Sequence, residues 1–202
     1  MGGRAEIEFW FDFGSAYAYF ASLEIEDLAA RHGRLVAWRP FMLGTAFKLT
    51  GAKGLSSTPL KKDYSMLDWA RIARLRSVPF NLPPHHPPVA LASTRAVYAV
   101  ERDDPAAVGR LVHALFTAGY VDGLDTGRVE DVLGVAERLG HDRHALTAAI
   151  ESPEIKALAK TMSEQAIERG VFGSPWMFVD GEPFWGWDRL GMLDDWLSRG
   201  GW

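Results

Sequence analysis

Residues 5–13 read Ala-Glu-Ile-Glu-Phe-Trp-Phe-Asp-Phe, with an apolar residue at every odd position and an apolar Trp10 between them. Such alternation makes a β-strand, and the added tryptophan marks a strand that is mostly buried. Gly14 and Ser15 break the pattern. From Ala16 to about Arg31 the period changes: Tyr17, Phe20, Ala21 and Leu28 share one helical stripe, and Gly33 ends it. Residues 34–41 return to strand character, closed by Pro40. A strand, a helix and a second strand in one sheet imply a right-handed crossover, so the N-terminal quarter predicts an α/β fold.

The middle of the chain differs. Between about 57 and 170 the pattern predicts helices over 59–76, 89–101, 105–120, 128–139, 143–151 and 154–169, and no strand. Pro59, Pro105 and Pro153 stand at or near three of the starts, where proline is tolerated, and Asp104 and Ser152 are candidate caps for the last two. Val78 to Pro88 carries five prolines around His85-His86, which makes it a rigid connector rather than a helix. After Gly170 strands return: Trp176-Met177-Phe178-Val179, a turn at Asp180-Gly181, and Glu182 to Trp185 pairing back. A last amphipathic helix runs from Asp188 to about Ser198. The order is βαβ, a helical block, then ββα.

Composition narrows the function classes. A net charge of −4 with mixed signs gives no basic footprint for nucleic acid. The absence of cysteine excludes disulfides, thiol redox chemistry and cysteine–metal sites. His85 and His86 are adjacent, so they lack the spacing of a metal pair, and no metal is expected. No apolar run approaches the ~18 residues of a membrane span. Met1-Gly2-Gly3-Arg4 leads straight into the first strand without a signal-peptide pattern, and Glu6 replaces the Ser/Thr of a myristoylation site. The expectation is a cytoplasmic protein that meets neither membrane nor nucleic acid. Eight tryptophans are scattered along the chain, three of them within 176–187. Most are expected in the core; Trp185 and Trp187 are candidates for an aromatic ligand wall.

Three short segments could carry chemistry. In Phe11-Asp12-Phe13-Gly14-Ser15-Ala16-Tyr17-Ala18-Tyr19 the serine falls at a helix N-terminus. There it either caps the helix or presents a hydroxyl where free N–H groups favour negative charge. In Gly170-Val171-Phe172-Gly173-Ser174-Pro175-Trp176 the proline precedes a strand, where it is cis or trans. A residue in the position of Ser174 can offer backbone N–H and C=O groups to an extended ligand. In Phe184-Trp185-Gly186-Trp187-Asp188-Arg189-Leu190 the aspartate either caps a helix or holds a ligand's charged end, and Gly186 permits close backbone approach. Lys48 is a surface lysine or a partner for a substrate carboxylate.

Taken together, the segments Phe-Asp-Phe-x-Ser-x-Tyr-x-Tyr, Gly-Val-Phe-Gly-x-Pro and Phe-Trp-Gly-x-Asp-Arg-Leu resemble the 2-hydroxychromene-2-carboxylate isomerase family, which belongs with kappa-class glutathione transferases. The resemblance extends to Arg39-Pro40-Phe41-Met42-Leu43-Gly44 and to Lys61, Asp63-Tyr64, Asp68 and Arg71. It implies a thioredoxin-like α/β fold with a large all-helical insertion: residues 1–56 and 170–202 form the thioredoxin-like domain and 57–169 the insertion. It implies glutathione as cofactor and Ser15 as the catalytic serine that hydrogen-bonds its sulfur. Ser174 would pair with the glutathione backbone, and Trp185, Gly186, Trp187 and Asp188 would line the γ-glutamyl end, with Asp188 opposing the ammonium. Lys48 and His86 would lie near the second substrate, an aromatic-derived carboxylate whose ring opens and isomerises after thiolate addition. A homodimer is also implied. Two other functions fit the same residues: a glutathione transferase acting on other electrophiles, and a glutathione- or peptide-binding module without turnover. The chain departs from the family at Ala16, where proline is usual, at Ser174, where valine is usual, and at Trp176 and Trp187, which replace smaller residues.

Overall fold

The computed structural model describes residues 6–202; the expectations that fall on Met1 to Ala5 lie outside them. Four strands form one sheet in the order β2-β1-β3-β4. β1 (Glu6–Phe11) pairs in parallel with β2 (Leu35–Pro40), antiparallel with β3 (Trp176–Val179), and β3 pairs antiparallel with β4 (Glu182–Trp185). The helix α1 (Ala16–Arg31) makes the crossover between β1 and β2, and Gly33 turns the chain out of it at φ +65°.

Both faces of the sheet are covered. Ile7, Phe9 and Phe11 point to one side and join the large core with α1. Trp10, between them, points to the other side and packs with Phe41, Ala166, Trp176 and Phe178. The period of two along the strand therefore divides the aromatic residues between two layers. The helices α3 (Lys61–Arg76), α4 (Leu91–Asp103), α5 (Val108–Tyr120), α6 (Val129–Arg138), α7 (Arg143–Glu151) and α8 (Pro153–Glu168) follow the expected order, with α9 (Leu190–Arg199) at the end. Packing does not stop at the boundary between sheet and helical block: Phe116 of α5 packs at a tilt against Phe11 and Phe13, with ring centroids 5.4 and 4.8 Å apart.

Four local details differ from the expectations. The 105–120 helix opens with a separate 3₁₀ turn, Pro105–Ala107, before α5. Asp104 does not cap that turn through its side chain; its backbone carbonyl accepts the Ala107 N–H instead, whereas the Ser152 hydroxyl does cap α8 at Ile155. The last helix opens with a 3₁₀ turn, Trp187–Arg189, so Asp188 lies inside a turn and caps nothing. Finally, α2 (Leu43–Thr50) has no counterpart among the predicted elements. Met42, its N-cap, contributes no side-chain bond; the carboxylate that serves the Leu43 N–H belongs to Asp12, distant in sequence. A helix whose start signal comes from another segment shows no local start pattern.

Candidate active site

Ser15 caps α1. Its backbone is extended and its Oγ accepts the Ala18 N–H at 3.2 Å. The same hydroxyl donates to the Ser174 carbonyl, 2.8 Å away. The first turn of a 16-residue helix thus meets the loop before β3 through one serine. Free N–H groups at that helix end make the position electropositive.

Ser174 completes the contact from its own side. Its Oγ accepts the Asp12 N–H at 2.9 Å, and the Ser174–Pro175 peptide is cis. The Pro175 carbonyl accepts the Gly186 N–H at 3.0 Å, which ties the chain leaving β4 to the same loop. Gly186 has φ +110°, a backbone conformation that favours glycine, and its Cα faces an Asp188 carboxylate oxygen. Ser15, Ser174, Gly186 and Asp188, far apart in sequence, are brought into one region of the fold.

Asp12 was visible in the sequence only as part of a motif. In the structure it is 7 % exposed, and its carboxylate accepts the Gly14 N–H at 2.7 Å and the Leu43 N–H at 2.8 Å. Its carbonyl accepts the Ser15 N–H at 2.9 Å. Burial raises its pKa, and the two amide bonds oppose the rise.

A second group missed in the sequence lies beside the first turn of α1. The Tyr17 hydroxyl donates to Asp68 of α3 at 2.9 Å, and Asp68 also holds Arg71 at 2.7 Å. Burial first, then the bond to Asp68 and the negative charges of Asp68 and Asp188, push the Tyr17 phenol far above its ordinary range, so it stays protonated. Asp188 is thus close enough to Tyr17 to act on it, although its carboxylate is exposed and paired with Arg189 at 2.8 Å. Two carboxylates, each paired with an arginine, and a neutral phenol line this edge of the site.

Trp187 is turned elsewhere. Its indole N–H donates to Glu24 of α1 at 2.8 Å, and the Arg76 guanidinium lies over the ring at 5.2 Å. Glu24 is nine residues beyond Ser15, roughly 13 Å along the helix. The indole walls a groove of about 570 Å³ that starts at Asp188 and runs along α1 past Asp27 and Arg31. Trp185 is half exposed and pairs across the strands with Trp176, on the sheet face away from α1. Its ring meets Phe172 and lies over Gly173, where any side chain would collide with the indole. Neither indole is brought to the Ser15 hydroxyl.

The residues expected near a second substrate are divided. Lys48 is exposed on α2, and no bond ties it to the site. His86 is close by: the chain just beyond it, at Pro87 and Pro88, lies 3.4 Å from where a Cβ on Gly14 would stand. Its ring sits between Trp69 at 5.4 Å and Tyr120 at 5.9 Å. Burial, with the neighbouring His85, pushes the His86 pKa down to about 4, so the ring is neutral at pH 7. The His86 Nδ1, the Trp69 Nε1 and the Tyr120 hydroxyl are all buried without a hydrogen-bond partner among the described residues.

This geometry can be set against known proteins. The DSBA-like thioredoxin domain family matches residues 6–198. A 2-hydroxychromene-2-carboxylate isomerase of Sphingobium xenophagum is 34% identical over 193 residues, covering 95% of this chain and 97% of that protein. The chain belongs to the 2-hydroxychromene-2-carboxylate isomerase family, within the DSBA-like thioredoxin fold. A solved structure of a 2-hydroxychromene-2-carboxylate isomerase superimposes with a TM-score of 0.86 at 28% identity, covering 96% of this chain and 94% of that one. The similarity also reaches a protein named glutathione S-transferase kappa 2 of Caenorhabditis elegans, 26% identical over 212 residues and covering 98% and 94% of the two chains. Family and fold thus agree with the expectation drawn from the sequence, and β1, α1 and the loop before β3 all lie within the matched residues. This member has a serine at the helix end and no cysteine anywhere.

Proposed function

We propose that the protein is a glutathione-dependent isomerase of 2-hydroxychromene-2-carboxylate-type substrates. The observation that carries the reading is the Ser15 hydroxyl, held at the N-terminus of α1 and 2.8 Å from the Ser174 carbonyl, in a chain without a thiol of its own. Bound glutathione would supply that thiol as the nucleophile for reversible addition to the conjugated ring system. Ser15 is suited to hold the sulfur as thiolate: its hydroxyl can leave the Ser174 carbonyl and donate to the sulfur, while the helix end favours the negative charge. Turning the hydroxyl releases the Ser174 carbonyl to accept a backbone N–H of the tripeptide. At the other end, Asp188, with Asp68 behind the Tyr17 hydroxyl, offers negative charge to an ammonium. Together these groups answer the thiol, one backbone amide and the ammonium of a γ-glutamyl tripeptide.

On the substrate side, a neutral His86 can share a hydrogen bond with a substrate oxygen without adding charge, and exposed Lys48 can meet a carboxylate. Turnover then depends on binding and electrostatics: Ser15 stabilises the thiolate before it adds to carbon and again as the C–S bond breaks, and the aromatic rings around His86 exclude water. Conjugation of other electrophiles is the second reading, favoured by the similarity to the glutathione S-transferase kappa 2. Calorimetry with glutathione, followed by isomerisation and conjugation assays on one preparation, tests both. We expect binding at millimolar or lower concentration and isomerisation faster than conjugation. No binding at millimolar glutathione overturns the proposal.

A further inference from the structure

Asp12 is the buried carboxyl group that the proposed chemistry leaves unused, and it is bonded to the turn before α1, the start of α2 and the loop before β3. Its carboxylate holds the Gly14 and Leu43 N–H groups, its carbonyl holds the Ser15 N–H, and its N–H is bonded to the Ser174 hydroxyl. No ion pair involves this carboxylate among the described residues. The side chains around it are uncharged or remote. Tyr120 of α5 presents a phenol that its charge acts on, Ser174 presents a hydroxyl, and neutral His86 lies on the segment that covers Gly14. Lys48 is at the far, exposed end of α2. Asp12 therefore places an uncompensated negative charge under the turn that carries Ser15.

We propose that Asp12 is a positioning residue that also limits how far the site lowers the pKa of the glutathione thiol, through repulsion between its carboxylate and the thiolate at Ser15. This rests on the glutathione reading above. The physical need is clear for a reversible addition. A thiolate stabilised too strongly is a poor nucleophile, and the best attacking thiol titrates near the working pH. Ser15 and the helix end pull the thiol pKa down; a like charge on the carboxylate that holds the neighbouring Gly14 N–H at 2.7 Å pushes it up. The same carboxylate fixes the Gly14–Ser15 turn to α2, so charge and geometry are set by one group.

The test reads the thiolate absorbance of bound glutathione against pH, in the wild-type protein and in Asp12→Asn. The expected result is a thiol pKa about one unit lower in the variant. A purely structural role would loosen glutathione binding and leave that pKa unchanged or higher, and either of those results in a folded variant that still binds glutathione overturns the proposal. Linkage provides a second measurement that needs no variant. The Asp12 carboxyl, followed by carbon NMR, should titrate at higher pH with glutathione than with S-methylglutathione, which cannot form a thiolate; equal values overturn the proposal even where Asp12→Asn does not fold. Calorimetry on the wild-type protein separates the two failures. Absence of glutathione binding removes the functional reading and this inference together, whereas binding with an unshifted thiol removes only the role of Asp12.

Discussion

The two sides of the site are built on opposite terms. On the side of Ser15 and Ser174 the polar groups are bonded within the protein: hydroxyl to carbonyl, amide to hydroxyl, amide to carboxylate, each at 2.7–3.2 Å. On the side formed by α3, the 78–90 connector and α5, the Trp69 Nε1, the His86 Nδ1 and the Tyr120 hydroxyl are buried and have no hydrogen-bond partner among the described residues. An unpaired buried group costs about 1–3 kcal/mol, so a water or ligand that met one of these atoms would be held there. The bonded side is preformed and can fix a cofactor in one geometry. The unpaired side is left open to a substrate oxygen or a trapped water.

Breaking the bonded side should have the largest effect. Ser15→Ala removes the hydroxyl proposed to hold the sulfur and should lower kcat for isomerisation by about 10²–10³-fold, the usual cost of one donor aimed at developing charge, with the fold intact by circular dichroism. Unchanged turnover would show that the serine only caps α1.

On the unpaired side, Tyr120→Phe should separate stability from activity. Removing a hydroxyl with no partner should leave the melting temperature unchanged or higher, while KM for the aromatic substrate rises by about tenfold, one hydrogen bond's worth. If KM stays the same, a water rather than substrate satisfies that hydroxyl.

A pH titration reports on His86. Its folded pKa of about 4 lies below the ordinary histidine value, so between about pH 6.5 and pH 4 the unfolded chain binds a proton that the folded chain does not. Stability is fully present above about pH 6.5 and should be lost as the pH falls toward 4, by about 2 kcal/mol once partial solvent access is allowed for. His86→Asn should flatten that slope in urea unfolding measured across the range.

The smallest effect is expected at Trp187. Its indole is committed to Glu24 and Arg76, well along α1 from Ser15. Trp187→Phe should cost about 1 kcal/mol of stability and leave glutathione affinity within a factor of two by calorimetry. A large loss of affinity would mean that the groove along α1 takes part in binding.

Much of this was legible in the residues themselves. The alternation in β1, the Gly14-Ser15 break, the Ser152-Pro153 start of α8 and the Asp180-Gly181 hairpin are all short-range signals, and each element formed where its signal lay. Ser15, Ser174, Gly186 and Asp188 could be singled out because each sits at an element boundary, where backbone groups are left free. What could not be read are groups whose roles come from distant partners. Asp12 looks like one residue of a strand end until its carboxylate is seen on Leu43, and α2 has no start signal of its own for the same reason. A tryptophan near a glycine turn can face either way, and only packing against Glu24 decided which groove the Trp187 indole walls.

The sequence by itself determined the order of the strands and of every long helix, the family and the absence of a protein thiol, because these depend on periodicity, turn chemistry and residue identity along the chain. The tertiary structure alone decided which buried charges and hydroxyls meet. Those contacts join residues as far apart as Ser15 and Ser174, and whether such groups are paired or left unpaired depends on the low-dielectric surroundings that only the folded core creates.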